Sequence, residues 1–190
     1  MTARRIRVVG ISGAGKSRLA AQIAEATGLA RLELDAVFWD ADWTFRDLES
    51  ARGLVRDFQA EHPEGWVIDG NWLSRLDGML DPGTDDGPDL VVWLDHPRRV
   101  VMRRIVSRTI QRAVLRTELW HGNRERPSTW LSRDPKTNIM LLSWSHYGPL
   151  REAMLERSKS GWPIVRLSRQ REVDTWLAAL RPRWKSNGVG

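Results

Sequence analysis

The chain has 190 residues, 41% of them hydrophobic, and a mean hydropathy of -0.45, which suits one soluble globular domain with a full core. It has no cysteine, so disulfides, thiolate zinc sites and cysteine nucleophiles are excluded, and no apolar run reaches membrane-spanning length. Charge is divided, with 10 basic against 17 acidic side chains in residues 1–95 and 20 against 7 in residues 96–190, so polyanion binding or phosphate-covering arginines are expected in the second half.

The basic N-terminus leads into Ile6-Arg7-Val8-Val9, a run suited to a buried strand and too short for a secretory leader, so a cytoplasmic location is expected. Gly10-Ile11-Ser12-Gly13-Ala14-Gly15-Lys16-Ser17 follows and fits G-x-x-x-x-G-K-[ST], the P-loop pattern. Residues 18–27 carry Leu19, Ala20, Ile23, Ala24 and Thr27 at helical spacing, and Gly28 ends that helix. The motif thus lies between strand and helix, where its glycines let backbone N–H groups surround phosphate oxygens and the helix terminus adds positive charge. The expected ATP-binding set is Gly10, Ser12, Gly13, Ala14, Gly15, Lys16, Ser17 and Arg18, with Lys16 reaching the β- and γ-phosphates and the Ser17 hydroxyl ligating Mg²⁺.

Arg31-Leu32-Glu33-Leu34-Asp35 reads as a second strand with Asp35 at its carboxyl end, the edge where ligands of open α/β sheets collect. An aromatic and acidic loop follows at residues 36–43, and Thr44 is the expected cap of a helix over residues 45–61. Gly65-Trp66-Val67-Ile68-Asp69-Gly70 is a third strand ending in Asp-Gly, with Asn71-Trp72-Leu73-Ser74-Arg75 entering a short helix. Residues 81–88 form a loop, and Asp89-Leu90-Val91-Val92-Trp93-Leu94-Asp95 reads as a fourth, buried parallel strand. His96-Pro97 starts a long helix on which Arg104, Arg108, Arg112 and Arg116 share one face. Residues 116–136 are polar and form the expected lid. Helical pieces at 137–144 and 150–157 are expected to break at Gly148-Pro149. Residues 162–167 make a fifth strand, residues 168–180 a loop and last helix, and residues 182–190 a basic tail. Strands alternating with helices indicate one parallel α/β domain over residues 1–181.

Phosphoryl transfer needs positioning and charge neutralisation above all. Asp69, ending a strand beside the P-loop, is the expected Mg²⁺ carboxylate with Ser17, and Asp35 is either a second such group or a general base for an acceptor hydroxyl. Arg104 and Arg108, nearest the sheet edge, are the expected phosphate-covering arginines, with Arg124 and Arg126 further candidates. Trp66, Trp93 and Trp176 read as core. Trp39, Trp43 and Trp72 fall at the functional edge, where they either line an acceptor pocket or simply pack. Trp39, Asn71 and Arg75 join Asp35 as the expected substrate-binding set.

The order of these features resembles the adenylate-kinase-like P-loop kinases, a group that includes nucleoside monophosphate kinases, shikimate kinase and gluconate kinase. Leu34-Asp35-Ala36-Val37-Phe38-Trp39, Val67-Ile68-Asp69-Gly70-Asn71-Trp72 and Trp93-Leu94-Asp95-His96-Pro97-Arg98 are similar, within that group, to the bacterial DNA topology modulation proteins. The resemblance implies a P-loop NTPase fold, with a five-stranded parallel sheet in order 2-3-1-4-5, and Mg²⁺-ATP at Gly13, Gly15, Lys16 and Ser17. It also implies an acceptor site near Asp35, Asp69 and Arg75, lid arginines after Asp95, and adenine packing by Ser168-Arg169-Gln170. Adenylate kinases carry Asp-Gly-Phe-Pro-Arg where this chain has Asp-Gly-Asn-Trp-Leu-Ser-Arg, and the Thr-Gly-Asp-x-Leu-Arg element that grips AMP is absent. The expectation is therefore an ATP-dependent kinase, monomeric or homodimeric, acting on a small-molecule or nucleotide-like acceptor. A nucleotide-regulated nucleic-acid-binding protein and a plain NTPase are the alternatives.

Overall fold

A computed structural model describes residues 3–115, 117–124 and 138–187. Five strands, β1 (Arg5–Gly10), β2 (Ala30–Glu33), β3 (Trp66–Asp69), β4 (Leu90–Leu94) and β5 (Ile164–Leu167), form one parallel sheet in the order β2-β3-β1-β4-β5. This is the expected topology. The β-branched runs of β1, β3 and β4 are buried on both faces, as central parallel strands must be.

Among the described residues, seven α-helices flank the sheet: α1 (Lys16–Thr27), α2 (Leu34–Phe38), α3 (Leu48–Glu61), α4 (Leu73–Leu76), α5 (Arg98–Val114), α6 (Ile139–Lys159) and α7 (Gln170–Asn187). Strand alternation sends Ile6, Val8, Val67 and Val92 to one face, where they meet Leu19 and Ile23 of α1 and Val173 and Leu177 of α7. On the other face, Trp66 and Ile68 pack with Ala51 and Val55 of α3, and Val91 and Trp93 pack with Met154 of α6. Trp66 and Trp93 are thus core residues, each contributing at most about 5 kcal/mol of hydrophobic stabilisation.

Four local features differ from the sequence-based expectation. First, β2 stops at Glu33, and Asp35 lies in the first turn of α2 instead of at the strand end. Leu34, Val37 and Phe38 are all buried, so this segment gains more from one helical face than from strand alternation. Second, α3 is capped by Asp47, not Thr44. Asp47 Oδ2 accepts from the Ser50 N–H at 2.9 Å, whereas the Thr44 hydroxyl donates to the Ala41 carbonyl at 2.7 Å. Phe45 is held extended by its bridge to Trp39, which delays the helix. Third, α6 runs unbroken through Pro149. An interior proline costs roughly 3 kcal/mol, offset here because Tyr147, Leu150 and Met154, on both sides of it, pack against the sheet. Fourth, α7 continues to Asn187, so most of the expected tail is helical. Most of the expected lid, with Arg116 and Arg126, lies outside the described residues.

Candidate active site

The P-loop leaves the end of β1 at the centre of the sheet. Its turn is closed by the Ala14 N–H donating to the Ile11 carbonyl at 3.0 Å, and Gly15, with a φ of 100°, hands the chain to α1. Lys16 is folded back so that Nζ sits 3.5 Å from the Ile11 carbonyl, at the limit of a hydrogen bond. Desolvation pulls its pKa down, Asp35, Asp69 and Glu33 oppose that, and Arg108 reinforces it. An ammonium in this state gains from any anion placed beside the loop.

Ser17 is the first residue of α1 to face the β2–β3 edge. Its hydroxyl donates to Glu33 Oε1 at 2.7 Å and also favours the neighbouring Asp69 carboxylate. Glu33 and Asp69 are register partners, so the parallel pairing of β2 with β3 sets two carboxylates side by side. Arg31, on the same side of β2, spans them, with Nη2 3.3 Å from Glu33 Oε2 and Nε 3.4 Å from Asp69 Oδ1. Burial holds the Asp69 carboxyl above its ordinary pKa and Glu33 adds to that, while Ser17, Arg31 and Lys16 pull the other way. The hydroxyl and two carboxylates are hard oxygen donors. No group of three or more histidine, cysteine or acidic side chains placed to hold a metal ion occurs among the described residues. Such a set fits a Mg²⁺ ion that keeps waters and phosphate oxygens in its shell better than a metal caged by protein alone. Sequence reading had singled out Ser17 and Asp69 but not Glu33. Only the β2–β3 register reveals it.

Helix α5 crosses behind the loop and brings both expected arginines onto it. Arg104 Nη1 donates to the Ala14 carbonyl at 3.1 Å and its Nη2 to Gln170 Oε1 at 2.9 Å. One turn on, Arg108 Nη2 donates to the Ser12 hydroxyl at 3.2 Å. Arg112, further along, carries its own interactions, and Arg124 pairs with Glu118 at 3.3 Å, away from the loop. Beside the loop, a cavity of about 250 Å³ opens between α1, β4 and α7, lined by Gly15, Arg18, Leu19, His96, Arg104 and Gln170. Arg169 is exposed and uses its backbone N–H on Glu172, so Gln170, not Arg169, borders the cavity. Larger depressions lie elsewhere, an apolar groove of about 770 Å³ on the outer side of α5 and a polar one of about 520 Å³ beside Arg5 and Trp162. Neither touches the P-loop, and position decides in favour of the smaller cavity.

Asp35 acts electrostatically on Lys16, and its Oδ1 accepts from Trp72 Nε1 at 2.7 Å. Around it, Trp39 stacks on Phe45 with centroids 4.5 Å apart and meets Trp43 and Trp72 edge-on. The Arg75 guanidinium lies 4.1 Å above the Phe45 ring. Trp39, Trp72 and Arg75 therefore share one wall with Asp35. Asn71 is tied to the P-loop, its Oδ1 accepting from the Gly10 N–H at 3.2 Å. The described start of the lid region rests on the same wall. Asn123, buried, accepts from the Trp43 N–H at 2.9 Å and donates to the Asp40 carbonyl at 2.8 Å. His121 Nε2 lies 2.9 Å from the Ala36 carbonyl, and Trp120 meets Trp43 edge-on. Neither Asn123 nor His121 carries a motif that sequence reading could have used.

Asp95, directly after β4, is engaged in ion pairs. It holds Arg166 at 2.5 Å and Arg151 at 3.2 Å. His96 beside it is buried, which lowers its pKa, and its Nδ1 lies 3.0 Å from the Ser168 carbonyl. These contacts make both residues structural supports for the β4–β5 edge.

No family model and no curated protein matches the chain. Solved structures do. Shikimate kinase from Acinetobacter baumannii, in complex with shikimate, aligns over 100% of this chain and 97% of its own, with a TM-score of 0.58 and 15% identity. A protein of Chloroflexus aurantiacus j-10-fl, assigned by name to the kinases, aligns over 96% and 98%, with a TM-score of 0.54 and 15% identity. A gluconokinase from Sinorhizobium meliloti 1021 aligns over 99% of both chains at 19% identity, with a TM-score of 0.49. No helix among the described residues is long and apolar enough to cross a membrane. At such identities likeness speaks for architecture alone: the chain has the five-stranded parallel fold of P-loop kinases, with its glycine-rich loop at the centre of that sheet.

Proposed function

We propose that this protein is an Mg²⁺-ATP-dependent phosphotransferase acting on a small-molecule acceptor. The observation that carries the reading is the convergence on one loop of two arginines from α5, a hydroxyl–carboxylate pair from α1 and β2 with Asp69 of β3 beside it, and a further carboxylate facing Lys16. Lys16, Arg104 and Arg108 neutralise phosphate charge from two sides, as a dispersed phosphoryl transition state requires. Ser17 and Asp69, with Glu33, would hold the metal, which when bound would supply positive charge to offset that of the phosphates. Asp35 accepts the proton of the acceptor hydroxyl. The Trp72 N–H fixes one of its oxygens and leaves the other to face the acceptor. The cavity beside Gln170 and His96 takes the adenosine portion, and the wall of Trp39, Trp72 and Arg75 takes the acceptor.

The sequence motifs further point to the DNA topology modulation group within this fold. The inward direction of Arg104 and Arg108 favours phosphate chemistry over a nucleic-acid surface, which needs such arginines open to solvent. A cysteine-free chain of this kind fits the reducing cytoplasm. The test is a panel of metabolites, nucleosides and nucleotides incubated with Mg²⁺-ATP, read as acceptor-dependent release of ADP, with Lys16→Ala as control. ADP release that requires one acceptor and disappears in Lys16→Ala supports a kinase. Release at one rate whatever is added marks a plain NTPase. Wild-type protein whose melting temperature ignores Mg²⁺-ATP would sink the P-loop assignment.

A further inference from the structure

β1 carries a charged side chain where a central strand normally holds an apolar one. Arg7 lies in the middle of this strand, between Ile68 of β3 and Val91 of β4, and is 1% exposed. Burial lowers its pKa to about 10, so it remains a cation at neutral pH. Burying a guanidinium is costly unless its donors find acceptors. The two terminal nitrogens do so on a single excursion of the chain, the one that joins β3 to β4, while Nε is buried without a partner among the described residues. Nη1 donates to the Leu80 carbonyl at 2.7 Å and lies 3.6 Å from Asp81 Oδ1, and Nη2 donates to the Asn71 carbonyl at 3.1 Å. Arg7 thus grips both ends of residues 71–81.

Those residues face two directions. Asn71 turns its side-chain oxygen to the Gly10 N–H, the first amide of the P-loop. In the sheet, β3 ends at Asp69, so the Asn71 amide takes the place of the next strand carbonyl beside β1. The following residues build the acceptor wall, since Trp72 holds Asp35 and Arg75 covers Phe45. We infer that Arg7 is a positioning residue that locks the phosphate loop and the acceptor wall into one unit, so that occupation of the loop is felt by Trp72 and Asp35. Arginine suits this task because its planar fork reaches two carbonyls at once, whereas lysine presents a point charge and reaches one. The link between donor and acceptor sides rests on the function proposed above. The grip itself does not.

Hydrogen exchange followed by mass spectrometry tests both parts on the full chain. Without nucleotide, Arg7→Lys should speed exchange about tenfold in two places together, residues 71–81 and the start of the P-loop, the size expected when one net hydrogen bond is lost. Exchange in β5 and α7 should stay at the wild-type rate. Asn71→Ala, which keeps the Arg7 grip but removes the acceptor of the Gly10 N–H, should speed exchange at the loop alone. With Mg²⁺-ATP, wild type should slow at the loop and at residues 71–81, and both variants should slow only at the loop. Uniform acceleration in Arg7→Lys, or acceleration confined to one of the two segments, overturns the lock. Slowing of residues 71–81 by ATP in both variants overturns the coupling. If ATP leaves the wild-type loop unchanged, the proposed function fails, and the nucleotide-free comparison still decides the lock.

Discussion

Gly13 packs its backbone against Ile105 and Val101 of α5, and replacing it tests how the arginines are brought to the loop. Its φ is 80°, and a Cβ built there would stand 2.4 Å from Ile105 Cγ1 and 3.1 Å from the Val101 carbonyl oxygen. Two costs follow for Gly13→Ala. The left-handed backbone costs an alanine roughly 1–2 kcal/mol. The overlap with Ile105, a buried side chain in the main core, costs roughly another 1–3 kcal/mol because α5 must shift. Gly28 separates the two terms, since its φ is 75° but no atom stands within 4 Å of its added Cβ. Gly28→Ala should therefore cost only the first term. Urea unfolding should show Gly13→Ala destabilised by about 2–5 kcal/mol, and its melting temperature should fall by about 5–15 °C in a chain of this size. Ile105→Ala on its own should cost about 2–5 kcal/mol as a cavity. Combined with Gly13→Ala it should cost less than the sum by about 1–3 kcal/mol, because the new methyl group enters the space vacated by isoleucine. Additivity within about 0.5 kcal/mol, or a Gly28→Ala cost equal to that of Gly13→Ala, would refute the packing of α5 on the loop. The same shift moves Arg104 and Arg108, so Gly13→Ala should also weaken Mg²⁺-ATP protection more than its stability loss alone explains.

Two further substitutions probe the site. Burial holds the Asp69 carboxyl above the ordinary 3.8, so ionising it costs the folded state more than the unfolded one as pH rises through its folded value. Asp69→Asn should then melt higher than wild type at neutral pH without nucleotide, with the gain fading as pH falls toward 4, and should need more Mg²⁺ for ATP protection. A melting difference independent of pH would contradict this. Asn123→Ala leaves the Trp43 N–H and the Asp40 carbonyl without their partner, and should cost about 1–3 kcal/mol in thermal unfolding while loosening residues 40–44 in hydrogen exchange. An unchanged exchange pattern there would mean that Asn123 does not hold the segment around Trp43.

Much of this protein is written locally. A strand, a glycine-rich turn and a helix in succession are a statement about successive backbone conformations, and the P-loop could be found because each residue in it answers to its neighbours. The repeat of arginines along α5 is likewise helical spacing, and two of that row, Arg104 and Arg108, donate to the Ala14 carbonyl and the Ser12 hydroxyl. The alternation of strands and helices pointed to a parallel sheet for the same reason, and Trp66 and Trp93 declared themselves by lying inside apolar strands.

What tertiary structure alone decided are pairings between distant segments, which leave no local trace. Glu33 stands beside Asp69 because β2 pairs with β3 in a register that makes the two partners. Asp35 moved from a strand end to a helical turn because Leu34, Val37 and Phe38 are buried together. Pro149 did not break α6 because packing on both sides of it outweighs one missing hydrogen bond. Arg7, read along the chain, is a polar interruption in an apolar strand. Only the fold supplies the two carbonyls that make a buried cation there stable, and both belong to the segment beside the candidate site.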